Sequence, residues 1–223
     1  MNADDSATLV AEAREHGLFL AEAMWMRTHP NVRRLADIVA SGVCGEIVQV
    51  RAELGFAARP DVARLWDPAL GASSMLDVGI YPLTFAHLVL GEPDHVVAAG
   101  VLSDQGIDLS GGATLTYPSG AVASIAWTQV AQGDNRAVVA GTEGRIEVAG
   151  RFHHPSGFVL VRGDDEERTE LPVTGRGYAH EIEEVAACLR AGRTESNLLP
   201  LDQTVSIQRQ MDDILSQLGV APR

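Results

Sequence analysis

The sequence predicts an α+β fold built on one largely antiparallel sheet, with helices against one of its faces. Three observations lead there. From His95 onward, apolar and polar residues alternate with a period of two over successive short segments separated by turn sequences. Helical periodicity is confined to stretches before and after that region. The chain holds 22 glycines among 223 residues but only 5% aromatic side chains, which suits many tight turns better than a helical bundle.

The elements follow in order. A first helix is expected from Asp4 or Asp5, either of which can cap it, to a stop at Gly17, with Ala7, Val10, Ala11 and Arg14 on one face. Residues 18–24 read as a short buried strand. A helix, a glycine and a strand form the αβ half of a parallel-sheet unit, which cannot make a sheet alone. A second helix spans 32–41, with Pro30 near its start and Gly42 after its end. A strand covers 46–56 and a loop 57–70. A helix then begins near Gly79, with Pro82 in its first turn. Strands are expected at 95–102, 112–117, 121–130, 135–140, 144–149, 158–162 and 167–172, with hairpin turns at 117–120 and 141–144. Helices at 178–191 and 202–218, stopped by Gly192 and Gly219, close the chain.

The faces of this sheet differ. Ile125 and Trp127 alternate with Val122, Ser124, Ala126 and Thr128; Leu115 and Tyr117 alternate with Thr114 and Thr116. The bulky face is expected under the helices. The flat face is either solvated or packed on a second sheet.

The 223 residues, 46% apolar, can bury a substantial core. A net charge of −13 repels nucleic-acid phosphates and anionic membranes, so neither partner is expected. Cys44 and Cys188 lack metal-ligand or disulfide-framework spacing and fit a reducing, cytoplasmic setting. The polar, acidic start of the chain does not resemble a signal peptide, and no apolar run of about 18 residues is expected to span a bilayer.

Asp77 and Tyr81 are the leading candidates for chemistry. They lie four apart in a run of small and apolar residues, where a carboxylate beside a phenol is a proton-handling pair. The phenol needs a nearby cation to act as a base, and all 17 basic residues of this chain are Arg. The alternative is a buried Tyr bonded to a capping Asp. Trp25 and Arg27 come next. They follow the expected strand end, where Trp25 can floor a flat ring and Arg27 can reach an anion, or they are simply a core Trp and a solvated Arg. Arg64 and Trp66 lie in a loop that can line a pocket. His153 and His154 sit side by side in a turn, a poor arrangement for a metal, and His180 lies on an acidic helix face; no metal site is expected.

Taken in order, Glu22-Ala23-Met24-Trp25-Met26-Arg27, Leu65-Trp66-Asp67-Pro68, the segment from Leu76 to Pro82, Gly141 to Ile146 and Tyr178 to Val185 resemble the C-terminal part of the Gfo/Idh/MocA oxidoreductases. Within that family they resemble the dihydrodiol dehydrogenase-like (xylose dehydrogenase-like) branch. The resemblance implies a dinucleotide-binding domain followed by an open, mainly antiparallel sheet whose outer face makes a homodimer. It implies hydride transfer between NAD or NADP and a sugar, diol or related small hydroxy compound. By position, Asp77 and Tyr81 match the acid/base residues, and Trp25 and Arg27 match residues lining the cofactor and substrate cleft. The family's glycine-rich loop and its Glu-Lys-Pro motif lie upstream of the segment matching residues 2–5. Residues 1–24 are therefore expected to be the remnant of the dinucleotide-binding domain, and 25–223 the substrate and dimerisation domain. No cofactor-binding set is complete in this chain, so tight NAD or NADP binding and dehydrogenase activity are expected only of a full-length parent. A non-catalytic binding or dimerisation protein derived from the family is the rival expectation.

Overall fold

A computed structural model describes residues 2–221. The sheet has eight strands: β1 (Ile47–Gly55), β2 (His95–Leu102), β3 (Asp108–Thr116), β4 (Val122–Thr128), β5 (Ala137–Gly141), β6 (Arg145–Val148), β7 (Phe158–Arg162) and β8 (Asp165–Thr169). Their spatial order is β2-β3-β4-β1-β5-β6-β7-β8. Every pairing is antiparallel except β1 with β4. The expected α+β fold, with an open and mostly antiparallel sheet, is the observed one.

Period-two alternation fixes which face is covered. Along β4, Ala123, Ile125 and Trp127 are buried while Ala126 is exposed. Val50, Ala52 and Leu54 of β1, Leu115 of β3 and Val139 of β5 join the same core. The helices on that face are α2 (Pro30–Ala40), α3 (Ile80–Leu90) and α5 (Leu201–Gln217). α3 is apolar around its circumference because it is enclosed: Leu83, Phe85 and Ala86 are fully buried. By composition the stretch Pro68–Leu90 is long and apolar enough to span a membrane, contrary to expectation, yet 61% of its apolar 18-residue window is buried inside the fold, as in the core helix of a globular domain.

Two elements at the N-terminus differ from expectation. Helix α1 (Ala3–Glu15) is capped by Asn2, whose side chain accepts from the Asp5 backbone N–H at 2.9 Å; Asp4 and Asp5 occupy the first turn instead, where their charge suits the helix dipole. The strand expected at 18–24 does not form. A strand needs a neighbour, and here the segment runs beside the C-terminal half without a ladder, Leu20 N–H donating to the Thr194 carbonyl at 3.2 Å. Val10 of α1 packs with Leu201 and Val205 of α5, and Ala7 and Leu20 border that cluster.

Across the covered face, Gly100 of β2 pairs with Gly111 of β3, which pairs with Trp127 of β4. The indole, only 2% exposed, lies over the space a side chain at Gly111 would fill. Gly111→Ala is expected to destabilise the fold by about 1–3 kcal/mol through overpacking, read as a lower urea midpoint at unchanged slope. An unchanged midpoint would show that Trp127 moves aside freely.

Candidate functional site

The site begins with an irregular turn. Residues Met75–Gly79 form one turn of π-helix, which leads directly into α3. Pro82 sits in the first turn of α3, where its missing N–H and its ring do no harm. The turn is anchored from below by Asp108, the first residue of β3, which is fully buried. Its Oδ2 accepts from Ser74 Oγ at 2.8 Å and from the Met75 backbone N–H at 2.6 Å. Side chains of Asp77 and Tyr81 emerge from this junction into one cavity of about 410 Å3.

Around that cavity Asp77 and Tyr81 each have a partner. Arg64 Nη1 donates to Asp77 Oδ1 at 2.6 Å, forming an ion pair at the mouth. Trp25 Nε1–H donates to Tyr81 Oη at 2.9 Å, with the two rings edge to face. Burial raises the Tyr81 pKa; the Trp25 donor opposes this, while Tyr178, Asp77 and Glu181 add to it. Tyr81 is therefore a protonated phenol at neutral pH, able to donate to an oxygen placed before it.

Trp25 is the hub of an aromatic wall. It lies in a short 3₁₀ turn, Trp25–Thr28, and contacts Tyr178 at 4.5 Å and His154 at 5.2 Å between ring centroids. His153 approaches Tyr81 at 5.1 Å. Helix α4 (Tyr178–Arg190) brings Tyr178 here. It is preceded by Gly177 at φ +104°, where a side chain would crowd Trp25 and His29. The backbone of Asn135, at φ +60°, is held by its own side chain: Oδ1 accepts from the Gly55 N–H at 2.7 Å. Trp25, Arg151, His153, His154 and Tyr178 also line a second cavity of about 870 Å3, so the two adjoin along one cleft wall.

With this geometry in hand, the comparisons are decisive. Residues 32–147 match the sequence model of the GFO/IDH/MocA C-terminal domain. Over 99% of its length the chain is 32% identical to trans-1,2-dihydrobenzene-1,2-diol dehydrogenase of Bos taurus, covering 68% of that protein. This chain belongs to the Gfo/Idh/MocA family. The Homo sapiens dihydrodiol dehydrogenase is 31% identical over 99% of the chain, which covers 68% of it. Among solved structures, a 3-ketoreductase from Actinomadura kijaniata, in complex with NADP and TDP-benzene, superposes with a TM-score of 0.85 at 25% identity, over 97% of this chain and 68% of that one. The aldose-aldose oxidoreductase from Caulobacter crescentus shares the fold, with a TM-score of 0.85 at 21% identity over 97% of this chain and 66% of that one.

Of the residues singled out from this Gfo/Idh/MocA sequence, Trp25, Arg64, Asp77 and Tyr81 meet at the cleft. Arg27 and Trp66 do not line it. Arg27 Nε donates to the Leu198 carbonyl at 2.8 Å, and the guanidinium is buried near Glu22, which ties the N-terminal segment to the C-terminal half. Trp66 Nε1–H donates to the Arg59 carbonyl at 2.9 Å and closes its own loop. Conversely, His153, His154, Arg151, Asn135 and Tyr178 line the cleft although sequence reasoning did not place them there. The one local signal was the paired histidines, read only as poor metal ligands. Among the described residues no group of three or more His, Cys, Asp or Glu side chains is arranged to hold a metal.

For a nicotinamide cofactor, the described residues fit one end. The Trp25 wall offers a flat apolar surface beside the Tyr81 hydroxyl. A glycine-rich turn opening onto a helix, which would cradle the phosphates, is not found among them.

Burial holds the site histidines neutral, lowering the pKa of His29 to about 4 and of His153 to about 3, with neighbouring histidines adding to the effect. An unfolded chain takes up these protons near pH 6.5, but the folded one does not until pH reaches those lower values. Their contribution is thus fully present above about pH 6.5 and is lost as pH falls toward about 4. Urea midpoints are expected to drop between about pH 7 and about pH 4.5, and to drop less in His153→Gln. An identical pH dependence in the variant would remove His153 as a cause.

Proposed function

We propose that this chain is the substrate-binding portion of an NAD(P)-dependent oxidoreductase acting on a sugar, diol or related small hydroxy compound. In this reading residues 1–24 belong to the remnant of a cofactor-binding domain. One observation carries the proposal: Asp77 and Tyr81 share a cavity wall in which Tyr81 is hydrogen-bonded to Trp25 and Asp77 is paired with Arg64. Family membership and the dihydrodiol dehydrogenase relatives support the reaction class.

The roles follow from the groups present. Tyr81, protonated, stands ready to give its proton to a carbonyl oxygen as the carbon is reduced, and to recover it in the reverse direction. Trp25 Nε1–H holds the phenol in line and favours the phenolate left after transfer, since a donor stabilises the charged form. Asp77 accepts a substrate hydroxyl, and Arg64 offsets its charge so that it does not suppress ionisation of Tyr81. The aromatic wall of Trp25 and Tyr178 excludes water from one side of the reacting carbon. Trp25 and Tyr178 would flank a nicotinamide, whose chemistry when bound would be hydride transfer.

The isolated chain lacks a phosphate cradle and a lysine beside Tyr81, so it is expected to show no hydride transfer with NAD or NADP and a dihydrodiol or aldose. Turnover at an ordinary enzymatic rate would overturn this reading. In a fusion that places the cofactor-binding portion of a dihydrodiol dehydrogenase ahead of residue 2, Tyr81→Phe is expected to lower kcat by about 100-fold or more with little change in KM. A smaller change than about 10-fold would exclude Tyr81 as the proton donor.

Dimerisation in the cytoplasm belongs to the same proposal. The open sheet face carries small and β-branched groups, Thr114, Ser124, Ala126 and Val138 among them, around a shallow hollow with Arg51 and Glu53 on its walls. A second copy packed face to face would cover it. Light scattering is expected to show a dimer, and Ala126→Arg a folded monomer; a wild-type monomer at micromolar concentration would refute the interface.

A further inference from the structure

The larger cavity continues away from Asp77 and Tyr81 and differs from the reacting end in its electrostatics. Its walls hold two arginines, Arg151 and Arg176, and no Asp or Glu among the described residues. In a chain of net charge −13 that combination is unexpected. None of the ion pairs among the described residues uses either guanidinium.

Three further features converge on the same space. The N-terminus of α4, thirteen residues long, opens beside Gly175 and Arg176 with no side chain capping its first N–H groups. The only carboxylate in its first turn, Glu181, is not part of the wall. His29 lines the cavity at 1% exposure, and its Nδ1 has no partner among the described residues. The Arg151 backbone holds φ +43°, a left-handed conformation costly for a side chain of this kind, at the point where the two cavities meet.

We infer that this cavity is an oxyanion subsite. It takes a phosphoryl or carboxylate group of a ligand whose other end reaches Asp77 and Tyr81. Arg151 and Arg176 grip the anion from the sides, the uncapped N-terminus of α4 adds the positive end of its dipole nearby, and His29 contributes one further polar contact from the floor. Trp25, His154 and Tyr178 form the passage between the two ends and suit a flat or apolar connecting portion. The inference rests on the proposed reading of the reacting end and adds a substrate class to it: small hydroxy compounds carrying an anionic group, in preference to neutral ones.

Calorimetric titration of the 223-residue chain with inorganic pyrophosphate and, separately, malonate tests this. Saturable binding of either probe, weakening as salt rises, is expected; the tighter of the two identifies phosphoryl or carboxylate as the group held. Arg176→Gln and Arg151→Asn, the latter tolerant of the left-handed backbone, are each expected to weaken binding about ten-fold or more. Arg209→Gln, which removes an exposed arginine of α5, is expected to bind like the parent chain. Absence of saturable binding to both probes overturns the inference, as does equal weakening by all three variants, which would report net charge alone. The titration involves neither cofactor nor turnover. Anion binding retained beside a negative result for Tyr81→Phe in the fusion would therefore sink the catalytic reading and leave this subsite standing.

Discussion

Asp108 is the constraint on which the site depends. A buried acidic side chain is costly unless hydrogen-bonded, and Asp108 accepts through Oδ2 from Ser74 Oγ and the Met75 N–H at short range. Those bonds satisfy the start of the π turn, a conformation that leaves backbone donors short of partners and that rarely persists unaided. The sheet thereby sets the phase of the turn, and the phase of the turn sets where Asp77 and Tyr81 point. A regular helix through the same residues would rotate Asp77 relative to Tyr81. The chemistry of the cleft is therefore fixed from the strand side, by a residue that never touches it.

Above that foundation, burial controls charge. The same enclosure that keeps Tyr81 protonated keeps His29 and His153 neutral, so the aromatic wall presents hydrogen-bonding edges without positive charge. Positive charge enters through Arg64, which Asp77 neutralises at the reacting end, through Arg151 where the cavities meet, and through Arg176 beyond it. The reacting end is thus neutralised by the Arg64–Asp77 pair, while positive charge accumulates from the junction outward. This arrangement orients a ligand along its length more than it tightens the grip at any one point.

Much of this was legible in the sequence. The strands from β2 to β8 were expected near where they lie, although β3 begins at Asp108 rather than 112 and β8 at Asp165 rather than 167; Trp127 facing inward with Ala126 outward was readable from parity alone. The start of α3 was readable from Pro82. What could not be read was pairing across long separations. The strand expected at 18–24 had the right composition and no partner, and composition carries no information about partners. Arg27 satisfies a carbonyl 171 residues away, a contact no local pattern announces. Asp108 lies outside the strand expected at 112–117, which in fact begins at Asp108. The back wall of the cleft comes from a turn at 151–154 and the start of α4, which only the assembled sheet brings beside Trp25.

The placement of β1 has a consequence for how the chain acquires this shape. β2, β3 and β4 form one run of neighbouring hairpins, and β5 to β8 form another; each is local in sequence and able to assemble early. Only β1 joins them, lying parallel to β4 on one side and antiparallel to β5 on the other. Its residues are synthesised before either run and must wait for both. Docking of β1 is then the slow, long-range event, and it is also the moment at which Leu54 and Gly55 reach the cleft wall. A molecule with both meanders formed but β1 undocked would hold most of its secondary structure without the two walls of its cleft facing each other.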